Sequence, residues 1–408
     1  MTDLINEIVA TMRHNKLRTA LTGFAVSWGI FLLIVLLSVS RGLVNGMEAM
    51  FAQRDYETMT VSGGWAQKPY RGLKDDRQVA VVGTDMNVVE NQNGAFVSYV
   101  AAEIWSDTAV VSTSKDYVTQ GYQGVYPSGL RSDGRTIDSG RFVNEMDLRQ
   151  QRRVIVLHRD NAEILFGKDV NPIGKRVNMC GLSFTVVGIY NHEWSRKSLI
   201  PFTTARALAG GSDTLGQMVV GLQGLRTIED GERAEQSIRE TLGRRHMFDP
   251  TEKSAVRIWN RFTQYLTTSR AMNVLRMAVW IIGLLTMLSG IVGVSNIMFV
   301  SVRERTHEIG VRRAIGARPA SILRQIILES VAITTFFGYI GIVAGIGVSA
   351  LLGSMTAGSD PQIIKDPSID ISMALEVTGV LIVAGAVAGL FPALKSLKIK
   401  PVEALRDE

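Results

Sequence analysis

Hydrophobic and polar positions alternate along this chain on two scales. On the coarse scale, residues 19–40, 277–302, 330–359 and 377–394 contain no charged side chain. Each run approaches or exceeds the roughly 20 residues that a spanning helix needs, the last only just unless Met373 to Glu376 lie at the interface. On the fine scale, residues 41–275 mix charges and turn residues with short β-rich runs. That pattern predicts strands at 57–62, 79–83, 109–113, 153–158, 176–179, 183–190, 217–222 and 255–259, with a helix over 227–242. The fold class expected is a membrane protein: four transmembrane α-helices with a large α+β extracytoplasmic domain inserted between the first and second spans. At about 230 residues the insert is long enough for a core of its own.

Residues 1–18 place Ile5, Ile8, Val9 and Met12 on one helical face. This is the spacing of an amphipathic helix lying at a membrane surface. A secretory signal peptide is the competing reading of 1–40, but its apolar core would run to only about 7–15 residues. A retained span at 19–40 fits better. The remaining expected divisions are the insert at 41–275, spans at 276–302, 321–353 and 374–394, an elbow at 303–320, an external loop at 354–373 and a tail at 395–408.

Charge sets the orientation. Arg13, Lys16 and Arg18 precede the first span, six arginines (Arg303, Arg305, Arg312, Arg313, Arg318, Arg324) follow the second, and Lys395, Lys398, Lys400 and Arg406 follow the fourth. The loop between the third and fourth spans has Lys365 against Asp360, Asp366 and Asp370. Basic loops stay in the cytoplasm, so both termini are expected inside and the insert outside. The net charge of +6 and pI of about 9.4 gather at these ends, and no nucleic-acid partner is needed to explain them. The mean hydropathy of +0.14 agrees with a membrane chain. One cysteine, Cys180, excludes an internal disulfide framework and reads as a small hydrophobe beside a strand.

The elbow holds the densest signal. The helix stop at Gly316 and the restart at Pro319 are the punctuation of a short charged turn between two membrane helices. Glu308 and Arg312 stand four apart in the favourable order for a helix-stabilising pair. Six arginines against two glutamates, Glu304 and Glu308, make the segment cationic and able to meet an acidic or polar partner.

Catalytic chemistry is hard to find. His192 and Glu193 open like a zinc-protease helix, but Arg196 occupies the second ligand position. Residues 167–175 have the wrong spacing for a phosphate loop, and Arg176 stands where Ser or Thr would hold magnesium. Gly345, Gly347 and Ala350 fit a dinucleotide pattern but sit inside an apolar span. The five histidines (His14, His158, His192, His246, His307) lack metal-ligand spacing. No ionisable residue occupies the middle of a span, which disfavours an ion-coupled carrier. A membrane-anchored enzyme finds no triad or paired carboxylates. Small-residue spacing at Gly341 and Gly345, and at Gly385 and Gly389, permits close helix packing, within the chain or across a dimer.

The elbow motif, with Glu304, Arg305, Thr306, Glu308, Ile309, Gly310, Arg312, Ala314, Gly316, Ala317 and Arg318, resembles the signature of MacB/FtsX-like ABC transporter permeases. Residues 14–31 resemble the first span of that family and 164–190 its periplasmic core domain, where a helix, a turn and a hairpin recur. The closing Pro401 to Arg406 resembles the family's C-terminal ending. The resemblance implies a porter-like outer lobe interrupted by a β-rich lobe near 120–210. It also implies that Arg303, Glu304, Arg305, Glu308, Ile309, Gly310, Arg312, Arg313, Gly316 and Ala317 form an elbow that couples to an ABC ATPase. ATP and Mg would lie on that separate subunit, with no cofactor in this chain, which is expected to be a stand-alone permease without catalysis of its own. A second permease copy or paralogue is implied, in a bacterial inner membrane, with a periplasmic adaptor and an outer-membrane channel as further partners. The work implied is mechanotransmission: ATP hydrolysis moves the outer domain to drive efflux or extraction of a substrate. The alternative is FtsX-like signalling to a cell-wall hydrolase.

Overall fold

The computed structural model describes residues 16–52, 55–132, 134–168, 170–192, 195–356, 364–367 and 371–396. The amphipathic segment expected before residue 16, the cations beyond 396 and most of the loop after 356 lie outside these residues, as does Glu193. In chain order the elements begin with α1 (Lys16–Ala52), β1 (Thr58–Ala66), β2 (Arg77–Val79), α2 (Gly83–Gln92), β3 (Val97–Ser106), β4 (Val110–Ser112), β5 (Tyr117–Thr119) and β6 (Tyr122–Val125). Then come α3 (Gly129–Ser132), β7 (Thr136–Gly140), α4 (Glu145–Arg149), β8 (Val154–His158), α5 (Arg159–Phe166), β9 (Arg176–Met179), β10 (Leu182–Asn191), β11 (Ser198–Pro201) and α6 (Phe202–Leu208). The chain continues through β12 (Gln217–Leu222), α7 (Ile228–His246), β13 (Val256–Asn260), α8 (Arg261–Glu304), α9 (Thr306–Ala314), α10 (Pro319–Thr356) and α11 (Ile371–Ser396). Two compact units result, residues 1–48 with 271–408 and residues 49–270.

The first unit is a helical bundle. Four helices are long and apolar enough to cross a membrane: residues Ala20–Ala49, Arg261–Glu304, Pro319–Thr356 and Ser372–Ser396. Both the second and the third run past the uncharged stretches, because polar residues at their ends continue the helix without interruption. Lipid gives apolar helices no hydrophobic reason to associate, so close backbone approach has to supply the contact. A Cβ on Gly341 would lie 2.4 Å from the Ser27 carbonyl oxygen, and one on Gly389 would lie 2.7 Å from Ser330 Cβ. The small-residue pairs therefore pack within the chain, α10 against α1 and α11 against α10. Ser330 seals the second contact by donating to the Gly385 carbonyl at 2.7 Å.

The second unit is the α+β insert. Its sheet runs β13-β1-β12-β3-β6-β11-β8-β10-β9-β4-β5, with β2 beside β1 and β7 beside β10. Most neighbours are antiparallel, while β10 with β8 and β11 with β6 are parallel. Period-two burial assigns one face of each strand to a core. Met59 and Val61, with Met218 and Val220, join Ile238 and Leu242 of α7 in one cluster. Phe184 and Val186 join Ile155, Leu157 and Leu165 in a second, whose buried members run from Ala109 to Ala205. The hairpin between β9 and β10 turns on Cys180 and Gly181, both at positive φ, as a two-residue hairpin loop requires. Cys180 thus lies beside β9 as expected, but exposed in the turn and not packed as a small hydrophobe.

Asp147 ties the second unit's irregular segment together. It is fully buried, closes a reciprocal cap with Asn144 at the start of α4, and pairs with Arg141 at 2.5 Å. Burial pushes its carboxyl pKa up, but the Arg141 side chain, the Asn144 backbone amide and the charges of Arg141 and Arg152 outweigh it, so the net shift is downward. A lowered folded pKa means that this contribution is fully present above the ordinary aspartate value of about 3.9 and is lost as pH falls through the folded value. Acid melts should lose stability below about pH 4 in the wild type, and Asp147→Asn should flatten that limb while lowering stability at neutral pH.

The bundle generates a second expectation. Gly341→Ala forces a methyl against a backbone oxygen and should cost about 1–3 kcal/mol. Gly347 on the same helix has open space around it, so Gly347→Ala should be neutral or stabilising by up to about 1 kcal/mol. Unfolding titrations of the two variants in detergent compare them directly.

Candidate functional site: the charged elbow

The elbow starts where α8 stops being regular. Arg305 separates α8 from α9 with φ −98° and ψ 17°, although the Arg305 amide still reaches Ser301 and the Ile309 amide still reaches Arg305. Thr306 lies just past the break, and its hydroxyl donates back to the carbonyls of Val302 at 3.3 Å and Arg303 at 2.7 Å. Back-bonding of this kind bends a helix. The far end closes with two reciprocal bonds, Ala317 amide to Arg312 carbonyl and Gly316 amide to Arg313 carbonyl. Gly316 adopts φ 102° there, a backbone state that favours glycine. Pro319 then opens α10 with its φ already set for a helix.

The ten expected residues divide by direction. Ile309 and Gly310 are buried, and Ile309 belongs to the bundle core with Val302, Ile322 and Ile326. These two brace α9 and do not present themselves outward. Arg303, Glu304, Glu308, Arg312 and Gly316 are exposed, whereas Arg305, Arg313 and Ala317 are half-buried. Glu308 and Arg312 do not form the helix pair that their spacing suggests. Arg312 reaches across to α10 instead, donating to Gln325 Oε1 at 3.1 Å.

Two residues that the sequence did not single out complete the site. Glu329, immediately before the uncharged run of α10, has a side chain only 7% exposed and takes Arg305 Nη1 at 3.2 Å. Its signal was its position as the last acid before a long apolar run. Ile315, between Arg313 and Gly316, is 82% exposed, the most exposed large hydrophobic among the described residues. Its signal was an isoleucine at a helix end where a polar residue would serve. Between α9 and α10 a cavity of about 30 Å³, room for one water, is bordered by Arg305, Arg312, Gln325 and Glu329. Among the described residues no His, Cys, Asp or Glu cluster could hold a metal ion. What the arrangement offers is mechanical: a short cationic helix with an apolar tip, pinned at both ends to the bundle.

The sequence matches the MacB-like periplasmic core domain over residues 19–241 and the FtsX-like permease C-terminal region over residues 280–401. The first match covers more than half of the chain. The chain belongs to the MacB-like, FtsX-like permease family. The macrolide export ATP-binding/permease protein MacB of Chlorobium luteolum is 30% identical over 407 residues, which is 97% of this chain and 58% of the relative. Its counterpart in Chlorobaculum tepidum is 29% identical over 416 residues, 98% of this chain and 60% of the relative. The chain therefore spans about three fifths of the length of these relatives. The periplasmic region of MacB from Actinobacillus actinomycetemcomitans has a crystal structure at 20% identity with a TM-score of 0.43, covering 55% of this chain and 97% of that one. The elbow of this MacB-like permease lies inside the FtsX-like region, and the insert lies largely inside the core-domain match.

Removing one partner of a largely buried ion pair typically costs about 3–5 kcal/mol. Arg305→Ala should therefore destabilise strongly, at the lower end because the arginine is partly solvated, whereas Arg305→Met with Glu329→Leu should recover most of the loss. Thermal melts of the three proteins in nanodiscs test the pair.

Proposed function

We propose that this chain is the permease subunit of an ABC transporter and that its elbow is the surface on which an ATP-hydrolysing subunit acts. One observation carries the proposal: α9 exposes an isoleucine at the tip of a cationic helix whose root is locked by the buried Arg305–Glu329 pair. An exposed isoleucine beside several arginines suits a groove with an acidic rim. Locking the root means that a push on the tip moves α8 and α10 with it. The core-domain match and the MacB-named relatives favour this transport reading over signalling to a cell-wall hydrolase.

In this reading ATP and Mg reside on the partner, and the permease works as a pair, with a second copy or a related chain. The basic elbow faces the cytoplasm of a bacterial inner membrane, both termini lie on that side, and the insert lies outside. A periplasmic adaptor and an outer-membrane channel complete the path. Closure of the ATPase pair would tilt the bundle helices, and α8, unbroken from Arg261 to Glu304, would carry the tilt to the insert. The named activity of the relatives makes a macrolide the first cargo to test.

Charge reversal of Glu308, Arg312 and Arg313 together, and separately Ile315→Asp, should abolish copurification of the ATPase and cut its permease-stimulated turnover by at least about tenfold. Membrane insertion should be retained, because these side chains lie outside the apolar core of the bundle, while loss of the Arg312–Gln325 bond in the charge-reversed protein should lower its melting temperature slightly. Normal copurification and stimulation in both variants would overturn the assignment of the elbow.

A further inference from the structure

The insert holds a cleft that the coupling argument does not use. It has a volume of about 790 Å³ and is bordered by Thr60, Ser62, Gln217, Arg257, Trp259 and Arg261. Register explains the grouping: Thr60 stands opposite Trp259 and Ser62 opposite Arg257 across the β1–β13 pair. Residues directly opposite in an antiparallel pair project from the same face, so β1 and β13 together present two hydroxyls, a guanidinium and an indole. The size is that of a small-molecule site.

Three features point to a ligand and to its chemistry. Trp259 is 62% exposed, and its indole N–H is held by Gln264 Oε1 at 2.7 Å, so one aromatic face is kept open in a fixed orientation. Arg257 makes a single long contact among the described residues, to the Gly63 carbonyl at 3.4 Å, and no carboxylate approaches it within ion-pair distance. The Thr60 hydroxyl oxygen is buried in the cleft wall without a hydrogen-bond partner. Arg261 adds a second guanidinium, anchored by a 2.6 Å bond to the Ser132 carbonyl. Among the described residues no acid lines the cleft. Glu103 on the neighbouring strand β3 is engaged by the amides of Gln123 and Gln217, with Arg135 joined to the network through Gln123.

We infer that this cleft binds an anion with a flat apolar body, its phosphate or carboxylate held by Arg257 and the Thr60 hydroxyl and its body stacked on Trp259. Charge-assisted bonds from a guanidinium are about twice as strong as neutral ones, and an aromatic face adds specificity for a planar group. A cation of the same shape meets the Arg257 guanidinium, with no carboxylate among the described lining residues. The inference stands apart from the coupling reading, since binding here needs no ATPase, and failure of either leaves the other untouched.

The test uses the full chain in zwitterionic phosphatidylcholine nanodiscs, titrated by calorimetry with 1-naphthyl phosphate and with 1-naphthylmethylammonium. The phosphate should bind saturably with one site per chain, and the cation should give no saturable heat. Arg257→Glu should weaken the phosphate by at least about tenfold and Trp259→Ala by several-fold, while Arg257→Lys keeps part of the affinity. Should Arg257→Glu melt early, Arg257→Gln takes its place with the same expected direction. Equal binding of both probes, no binding of the phosphate, or unchanged affinity in the Arg257 and Trp259 variants would each overturn the proposal.

Discussion

The contact between the Gly341 backbone and the Ser27 carbonyl oxygen is the constraint on which the membrane half depends. Four apolar helices in lipid gain nothing from merely being apolar, so one of them must come close enough to another for backbone atoms to touch. Gly341 allows this for α10 on α1, and Gly389 allows it for α11 on α10. Once α10 is fixed on both sides, its polar residues have defined neighbours. Ser330 finds the Gly385 carbonyl, Thr334 returns its hydroxyl to the Ser330 carbonyl at 2.8 Å, and Glu329 faces the root of the elbow.

The elbow is built on that fixed end. Arg305 sits at the junction of α8 and α9 and its side chain turns to Glu329, so the residue at the bend also anchors it. Burial of the carboxylate against the arginine makes the joint specific in angle as well as in position. Ile309 adds an apolar contact to the bundle core on the inner side of α9. The outer side keeps its charges and Ile315 for something else. Inner and outer faces of one nine-residue helix thus do different jobs, and the division follows from helical periodicity.

Much of this was legible in the residues. The four uncharged runs marked the four long helices, and β9 and β12 were read to the residue because alternation and turn signals bounded them sharply. The helix ends at Gly316 and Pro319 were legible because backbone geometry there depends on local chemistry alone. Other features were not legible, for stated reasons. The Glu308–Arg312 pair failed because a tertiary acceptor, Gln325, outcompeted a local one. β3 was not predicted: three consecutive buried residues, Ala101 to Glu103, break the period-two pattern that marks a half-buried strand. Glu329 was passed over because partners 24 residues apart leave no local pattern. The exposure of Cys180 was not read because a cysteine seldom signals a positive φ, whereas the neighbouring Gly181 does.

The same reasoning explains why the cleft in the insert escaped sequence reading while the elbow did not. An elbow is contiguous in sequence, so its charge, its helix stop and its restart add up within one window. The cleft is assembled from β1 and from β12 and β13, which follow it by more than 150 residues, and each strand alone shows only ordinary alternation. What distinguishes it is the register that sets Thr60 opposite Trp259 and Ser62 opposite Arg257. A one-residue slip of β13 would turn the indole and the guanidinium to the buried face, where neither could be satisfied. The core residues Val61 and Val256, which fix that register from the other side, are therefore as necessary to the cleft as the side chains that line it.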